Sequence, residues 1–175
     1  CQASCPTGIP VQKRWEMVRK GLIDEAVDIA LAYTPFPVTV CGYLCPNVCM
    51  QHCTRAVEGM KPVDITVLGK SSLQAKPPEP APSTGYRVAI VGGGPAGLSI
   101  AWQLYLKGHQ PVVYDRGEEL GGKITSSIPS LRIPDEIVRH EIDRVKGLIP
   151  KVHLNRDMTR DEFTKIRDEF DTVVI

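Results

Sequence analysis

Ala89-Ile90-Val91-Gly92-Gly93-Gly94-Pro95-Ala96-Gly97-Leu98 is the stretch that decides how the second half of this chain folds. Gly92, Gly94 and Gly97 stand in the spacing G-x-G-x-x-G, after an apolar run at 86–91 and before helical periodicity at 95–107. In a strand, turn and helix each glycine has its own task. The first permits the tight turn, the second lets backbone approach a pyrophosphate, and the third lets the helix pack closely on the strand. Phosphate charge then meets the free N–H groups and dipole at the helix N-terminus, which makes Pro95 and Ala96 cofactor-binding candidates beside the three glycines. A second apolar run at 111–114 completes a βαβ unit and ends at Asp115, 18 residues after Gly97. A carboxylate there is placed to accept both ribose hydroxyls of a bound dinucleotide. The bland alternative is a glycine-rich turn with an unrelated surface Asp.

Further along, the alternation continues with a helix predicted at 135–146, a strand near Val152, a helix at 160–169 and a strand at 171–175. No internal repeat is present. The wording Gly92 to Leu98, followed by Asp115-Arg116 and then Gly121-Gly122 with Lys123, resembles the FAD-binding domain of flavoproteins with two dinucleotide domains. By that resemblance the second glycine pair leaves room beside the flavin's phosphates and ribityl chain. FAD is therefore favoured over NAD for this site.

Ahead of the glycine loop, residues 70–85 contain four prolines and little to bury, so they read as an extended linker. The expected organisation is a helical domain at 1–69, the Pro-rich linker at 70–85 and a Rossmann-like domain at 86–175. Within the first domain, Val11, Trp15, Val18 and Leu22 predict a helix ending near Gly21. Ile23, Ala26, Val27, Ala30 and Leu31 predict a second, stopped by Pro35 and Pro37. Residues 62–68 read as a short extended or turn segment. The chain opens at a cysteine and closes on a strand, so both domains are expected to be truncated.

All six cysteines lie in the first 53 residues. Cys41, Cys45, Cys49 and Cys53 form three consecutive C-x3-C spacings, and Cys1 and Cys5 a fourth. Soft thiolates at such short intervals suit an iron–sulfur cluster or zinc. Zinc sites usually pair two short knuckles instead of stringing cysteines at regular intervals, which favours the cluster. A nucleotide fingerprint belongs in a reducing compartment, which disfavours disulfides. His52 reads as a bystander or as a hydrogen-bonding neighbour of a sulfur.

Lys plus Arg (21) nearly balance Asp plus Glu (20), so the charge points to no nucleic-acid partner or anionic membrane surface. No run approaches the roughly 20 apolar residues that a membrane helix needs, and no signal peptide is evident. The chain reads as soluble and cytoplasmic.

Cys1-x3-Cys5-Pro6, Ile9-Pro10, the stretch Pro35-Phe36-Pro37-x-x-Val40-Cys41-Gly42-x-x-Cys45-Pro46 and the Gly92–Leu98 loop together resemble the glutamate synthase small (β) subunit family. That family includes the N-terminal part of dihydropyrimidine dehydrogenase. Gly121-Gly122, Ile128-Pro129, the run Leu131-Arg132-Ile133-Pro134, Glu141-Ile142 and the closing residues 170–174 fit the same template.

The resemblance implies an α-helical, ferredoxin-like iron–sulfur domain with two [4Fe–4S] clusters, followed by an FAD-binding domain. NAD(P)H is then bound by a domain outside these 175 residues, and a larger flavoprotein subunit or domain accepts the electrons. Cys1 and Cys53 would serve the cluster that also uses an upstream Cys pair, and Cys5, Cys45 and Cys49 the other. Where relatives place a Gln or Glu ligand for that second cluster, this chain has a position near Gly69. Cys41 is either its substitute or a buried non-ligand. Arg132 would lie close to the flavin. Two rivals stand beside this expectation: a zinc-stabilised binding module, and an interaction subunit that has lost its cofactors.

Overall fold

The computed structural model describes all 175 residues and divides them into two compact units, Cys1–Pro78 and Glu79–Ile175. The first is helical. It comprises α1 (Val11–Arg19), α2 (Ile23–Asp28), α3 (Val48–Gln51) and α4 (Ile65–Lys70). Between and after them lie 3₁₀ turns at Ile29–Ala32, Thr54–Glu58 and Ser71–Gln74 and a π-helical turn at Val38–Leu44. Isolated helices shorter than about 12 residues are marginal in water, so packing must hold these. Ile9, Val11, Cys49, Ile65 and Leu68 form the buried cluster that does so, with Cys1, Cys5, Cys41, Trp15, Val18 and Met50 against it.

Three expectations are corrected in this unit. Residues 62–68, expected as an extended or turn segment, contain the start of α4. The β-branched residues Val63, Ile65, Thr66 and Val67 suggested extension. Asp64 instead caps a helix, its carboxylate accepting from the Thr66 N–H at 2.9 Å, and burial of Ile65 and Leu68 fixes it. The linker expected from residue 70 begins later, because Ser71–Gln74 turns back onto the unit and buries Ser72 and Ala75. The remaining segment keeps its backbone satisfied by local partners: Lys76 N–H reaches the Asp28 carboxylate at 2.7 Å. In the second unit, Ala81 N–H donates to Leu106 O and Thr84 N–H to Gly108 O, both at 2.9 Å. Finally, Leu22 and Ile23, expected on buried helix faces, are 42% and 48% exposed, because α1 stops at Arg19 and the chain reverses at Gly21 with φ +79°.

The second unit is a parallel sheet with helical crossovers. Its strands are β1 (Arg87–Val91), β2 (Gln110–Tyr114), β3 (Lys151–His153) and β4 (Thr172–Val174), in the order β3-β2-β1-β4. Ala89 pairs with Val112 on one side and with Val173 on the other. α5 (Pro95–Leu106) links β1 to β2, α6 (Lys123–Ser127) and α7 (Asp135–Leu148) link β2 to β3, and α8 (Arg160–Glu169) links β3 to β4. This is the strand order of a Rossmann-type half. α6 had no counterpart in the sequence reading. α8 starts at a full capping box, Thr159 with Glu162. Ala89, Ile90, Leu98, Ala101, Trp102, Val113 and Val145 are at most 1% exposed and fill the layer between sheet and helices.

Leu98 is fully buried on the first turns of α5. Leu98→Ala is expected to destabilise this unit by about 2–5 kcal/mol, the usual range for such a core truncation, read from urea unfolding followed by far-ultraviolet circular dichroism.

Candidate functional site

The six cysteines are all free thiols and gather along two cavities of the helical unit. Cys5, Cys41, Cys45 and Cys49 line the inner cavity together with Ile9, Val11, Arg14, Asn47 and Ile65. Cys1, Cys49 and Cys53 line the outer one, with Trp15 and Val63. The inner cavity measures about 20 Å³ and the outer about 240 Å³. Seating a polynuclear group among the inner four thiols therefore requires their side chains to rotate apart. No three His, Cys, Asp or Glu side chains converge on one point able to hold a single ion. Zinc needs four donors within about 2.0–2.3 Å of one centre, whereas a four-iron cluster takes a thiolate at each of several separate corners. The donor set fits the cluster.

Local structure explains how the thiols differ. Burial pushes the Cys41 thiol up to about 12, against the pull of the Arg14 guanidinium. Burial also raises Cys49. Burial pushes Cys5 upward too, yet bonds from the Thr7 hydroxyl and from the N–H groups of Thr7, Ile9 and Gly8 outweigh it and leave that thiol lowered. Cys53 is lowered by the N–H groups of Val63 and Arg55. Cys45 Sγ accepts from Asn47 N–H at 3.4 Å, and Asn47 itself has left-handed backbone at φ +57°. His52 is exposed and its Nδ1 lies 3.0 Å from its own helix carbonyl, Val48 O.

Position 69 is closed to any side chain. A Cβ on Gly69 would lie 2.6 Å from Gly42 N, 2.8 Å from the Cys41 carbonyl carbon and 3.0 Å from Cys41 Cβ. Cys41 thus occupies the space beside the position where the resemblance placed a Gln or Glu ligand.

Arg14 is the residue that sequence reading passed over, although it shares the Val11 and Val18 face of α1. It is fully buried and lines the inner cavity. Its Nε donates to Ala26 O at 2.6 Å, and its Nη2 to Leu68 O at 3.2 Å and to Ser72 Oγ at 3.1 Å. Its Nη1 has no partner. The indole N–H of Trp15, on the outer cavity, is likewise buried without one.

In the second unit the glycine loop is built closely. Gly92 turns with φ +116°, and a Cβ on Gly97 would collide with the Gly92 carbonyl oxygen, so the third glycine sets how near α5 approaches β1. A Cβ on Gly94, by contrast, would meet nothing within 4 Å, which leaves open space in front of the first turn of α5. Pro95 opens that helix where no N–H is needed, and Pro95 and Ala96 are exposed. Asp115 stands behind the loop. Its Oδ2 accepts from Gly93 N–H and its Oδ1 from Gly117 N–H at 2.6 Å. A carboxylate offers about four acceptor positions, so each oxygen retains one for a ribose hydroxyl.

The second glycine pair belongs to the same construction. Gly121 N–H donates to Gly93 O at 2.8 Å, and a Cβ on Gly122, at φ +51°, would sit 3.1 Å from Gly94 Cα. Lys123 follows at the start of α6 and is exposed, as are Arg116 and Arg132. Arg132 lies in a turn in which its N–H donates to Pro129 O at 2.8 Å.

Residues 1–77 match the family described as dihydropyrimidine dehydrogenase domain II, 4Fe-4S cluster, and residues 90–145 match NAD(P)-binding Rossmann-like domains. A 4Fe-4S-type helical unit followed by a Rossmann-like unit is the class that fold and site define. Over its whole length the chain is 32% identical to the beta subunit of an NADPH-Fe(3+) oxidoreductase of Geobacter sulfurreducens and 29% identical to a glutamate synthase [NADPH] small chain of Mycobacterium tuberculosis. Over 99% of its length it is 31% identical to the corresponding small chain of Bacillus subtilis. The chain is a homologue of the glutamate synthase small subunits, as the sequence motifs implied. It spans 27%, 37% and 36% of the length of those three relatives. A solved structure, an amine oxidase from Pseudomonas geniculata N1, covers 90% of the chain at a TM-score of 0.45 and 19% identity, with 22% of that enzyme covered in turn. No helix is long and apolar enough to cross a membrane.

The open space at Gly94 and the collision at Gly97 give opposite expectations. Gly94→Ala should leave the unfolding free energy within about 0.5 kcal/mol of the parent while weakening dinucleotide binding, as measured by equilibrium dialysis. Gly97→Ala should cost about 1–3 kcal/mol by overpacking.

Proposed function

We propose that this chain is the iron–sulfur and FAD-binding portion of an NAD(P)H-dependent electron-transfer oxidoreductase, which passes electrons from NAD(P)H through FAD and [4Fe–4S] clusters to a larger partner subunit or domain. The observation that carries this proposal is the convergence of Cys5, Cys41, Cys45 and Cys49 on one cavity, in a chain that also builds the Gly92–Gly97 loop with Asp115 behind it. The printed activities of the relatives, NADPH-Fe(3+) oxidoreductase and NADPH-dependent glutamate synthase, support it.

A nicotinamide delivers two electrons together, a cluster accepts one at a time, and a flavin does both; that is the chemistry the bound cofactors would supply. The chain's own residues hold and orient. Cys5, Cys41, Cys45 and Cys49 would bind the inner cluster, and Cys1 and Cys53 would contribute to the outer one. Gly92, Gly94, Pro95, Ala96 and Gly97 would receive the pyrophosphate at the start of α5, where unpaired N–H groups favour its charge. Asp115 would take the ribose hydroxyls. The Gly121-Gly122 pair favours FAD, because it adds a second backbone wall against Gly94. Lys123, Arg116 and Arg132 are exposed side chains near that wall and its following loop, available to phosphate and flavin. NAD(P)H would be bound by a further domain of the parent protein, in the cytoplasm.

Protein prepared without oxygen is expected to contain iron, acid-labile sulfide and FAD together. Zinc without iron or sulfide would sink the proposal. Cys45→Ala is expected to lower iron while sparing FAD. Asp115→Ala should weaken FAD binding by about 1.5–3 kcal/mol, the range for a hydrogen bond to a charged group, while sparing iron.

A further inference from the structure

Arg14 presents a charge problem that the protein alone does not solve. Its guanidinium is fully buried, and all three acceptors it reaches, Ala26 O, Leu68 O and Ser72 Oγ, are neutral. A cation withdrawn from water costs several kcal/mol unless an anion and full hydrogen bonding compensate it. Neither is supplied by the residues around it. Nη1 has no partner, and no salt bridge involves Arg14. The cavity that Arg14 lines is the one lined by Cys5, Cys41, Cys45 and Cys49.

We propose that Arg14 is the buried counter-cation of the inner cluster, its free Nη1 donating to a sulfur of the group held by Cys5, Cys41, Cys45 and Cys49 and thereby favouring the reduced state of that cluster. The inference rests on the cluster assignment under Proposed function. A thiolate-bound cluster is anionic, and reduction adds one electron and no proton. Arginine remains charged throughout, so the added negative charge meets a cation already in place. Net charge and hydrogen bonds to sulfur are among the levers that set cluster potentials. The other three guanidinium bonds fix the position of Nη1: they tie α1 to α2, to α4 and to the 3₁₀ turn at Ser71–Gln74, so the group has no freedom to swing into solvent. Arg14 is on this account a positioning and tuning residue; it binds no iron.

The test uses the whole chain prepared without oxygen, with iron and sulfide quantified and with dithionite titrations followed by electron paramagnetic resonance. Cys45→Ala identifies the signal of the inner cluster. In Arg14→Met that signal is expected to shift to lower midpoint potential by at least a tenfold change in the reduction equilibrium, about 59 mV for one electron, with Arg14→Lys intermediate. Pulsed resonance on wild-type protein carrying ¹⁵N-guanidino arginine is expected to show nitrogen coupling to the reduced inner cluster, absent in Arg14→Lys. An unchanged potential in an Arg14→Met protein that retains its iron overturns the proposal, and so does missing coupling in the wild type. If Arg14→Met fails to retain iron, the coupling measurement decides alone. Wild-type protein without iron or sulfide would instead overturn the cluster assignment, and Arg14's role with it.

Discussion

The helical unit depends on what occupies its interior. Four elements of four to nine residues surround a core in which Cys49 stands with Ile9, Val11, Ile65 and Leu68, and in which Cys1, Cys5 and Cys41 complete the packing. A thiol packs as a small hydrophobe, so the same side chains that close the core also face the cavities. Arg14 holds these pieces in register by reaching carbonyls of α2 and α4 from α1. Packing and cavity lining cannot be separated here, because a change at any of these cysteines alters both together.

The Rossmann-like unit divides the two tasks more cleanly. Its stability comes from the buried apolar layer of Ile90, Leu98, Trp102, Val113 and Val145, whereas the exposed Pro95 and Ala96 are the loop residues that would meet a ligand. The loop is shaped by close backbone contact: Gly97 against Gly92, and Gly122 against Gly94. Gly93 adds a third constraint, since a Cβ there would press on Leu120 while its N–H anchors Asp115. The middle glycine of the triplet, outside the G-x-G-x-x-G spacing, is therefore more tightly enclosed than Gly94, where a Cβ would meet nothing within 4 Å. Asp115 sits close enough to bond the loop directly, so the backbone N–H groups of Gly93 and Gly117 orient its carboxylate.

Much of this was legible in the sequence. The glycine spacing, the apolar runs and the acid after the second strand specify a βαβ unit by local rules, and α5, α7 and α8 fall where periodicity put them. Residues 62–74 were misread because their structure is not locally encoded. β-branched residues and prolines argue for extension, while burial of Ile65, Leu68 and Ser72 against distant segments imposes helix. Arg14 was invisible for a related reason. On a helix of nine residues that also carries Lys13 and Arg19, Arg14 reads as one more solvated side chain, and only the carbonyls of Ala26 and Leu68, 12 and 54 residues away, turn it inward. The spacing of the cysteines does not show which thiols share a cavity; in the fold Cys5, Cys41 and Cys45 line one, Cys1 and Cys53 the other, and Cys49 both.

The relation between Cys41 and Gly69 brings these levels together. The π-helical turn carrying Cys41 lies against α4 so closely that any side chain at 69 would strike the backbone of Cys41 and Gly42. Under the proposed assignment, a ligand contributed from position 69 and the present placement of Cys41 exclude one another on steric grounds alone. A fourth ligand for the inner cluster must then come from the turn instead of the helix, and Cys41 already lines the cavity with Cys5, Cys45 and Cys49. Burial pushes its thiol up to about 12, and iron held there would supply the positive charge that favours the thiolate. The loss of a side chain at one position and the presence of a thiol at another are, on this account, two halves of a single packing solution.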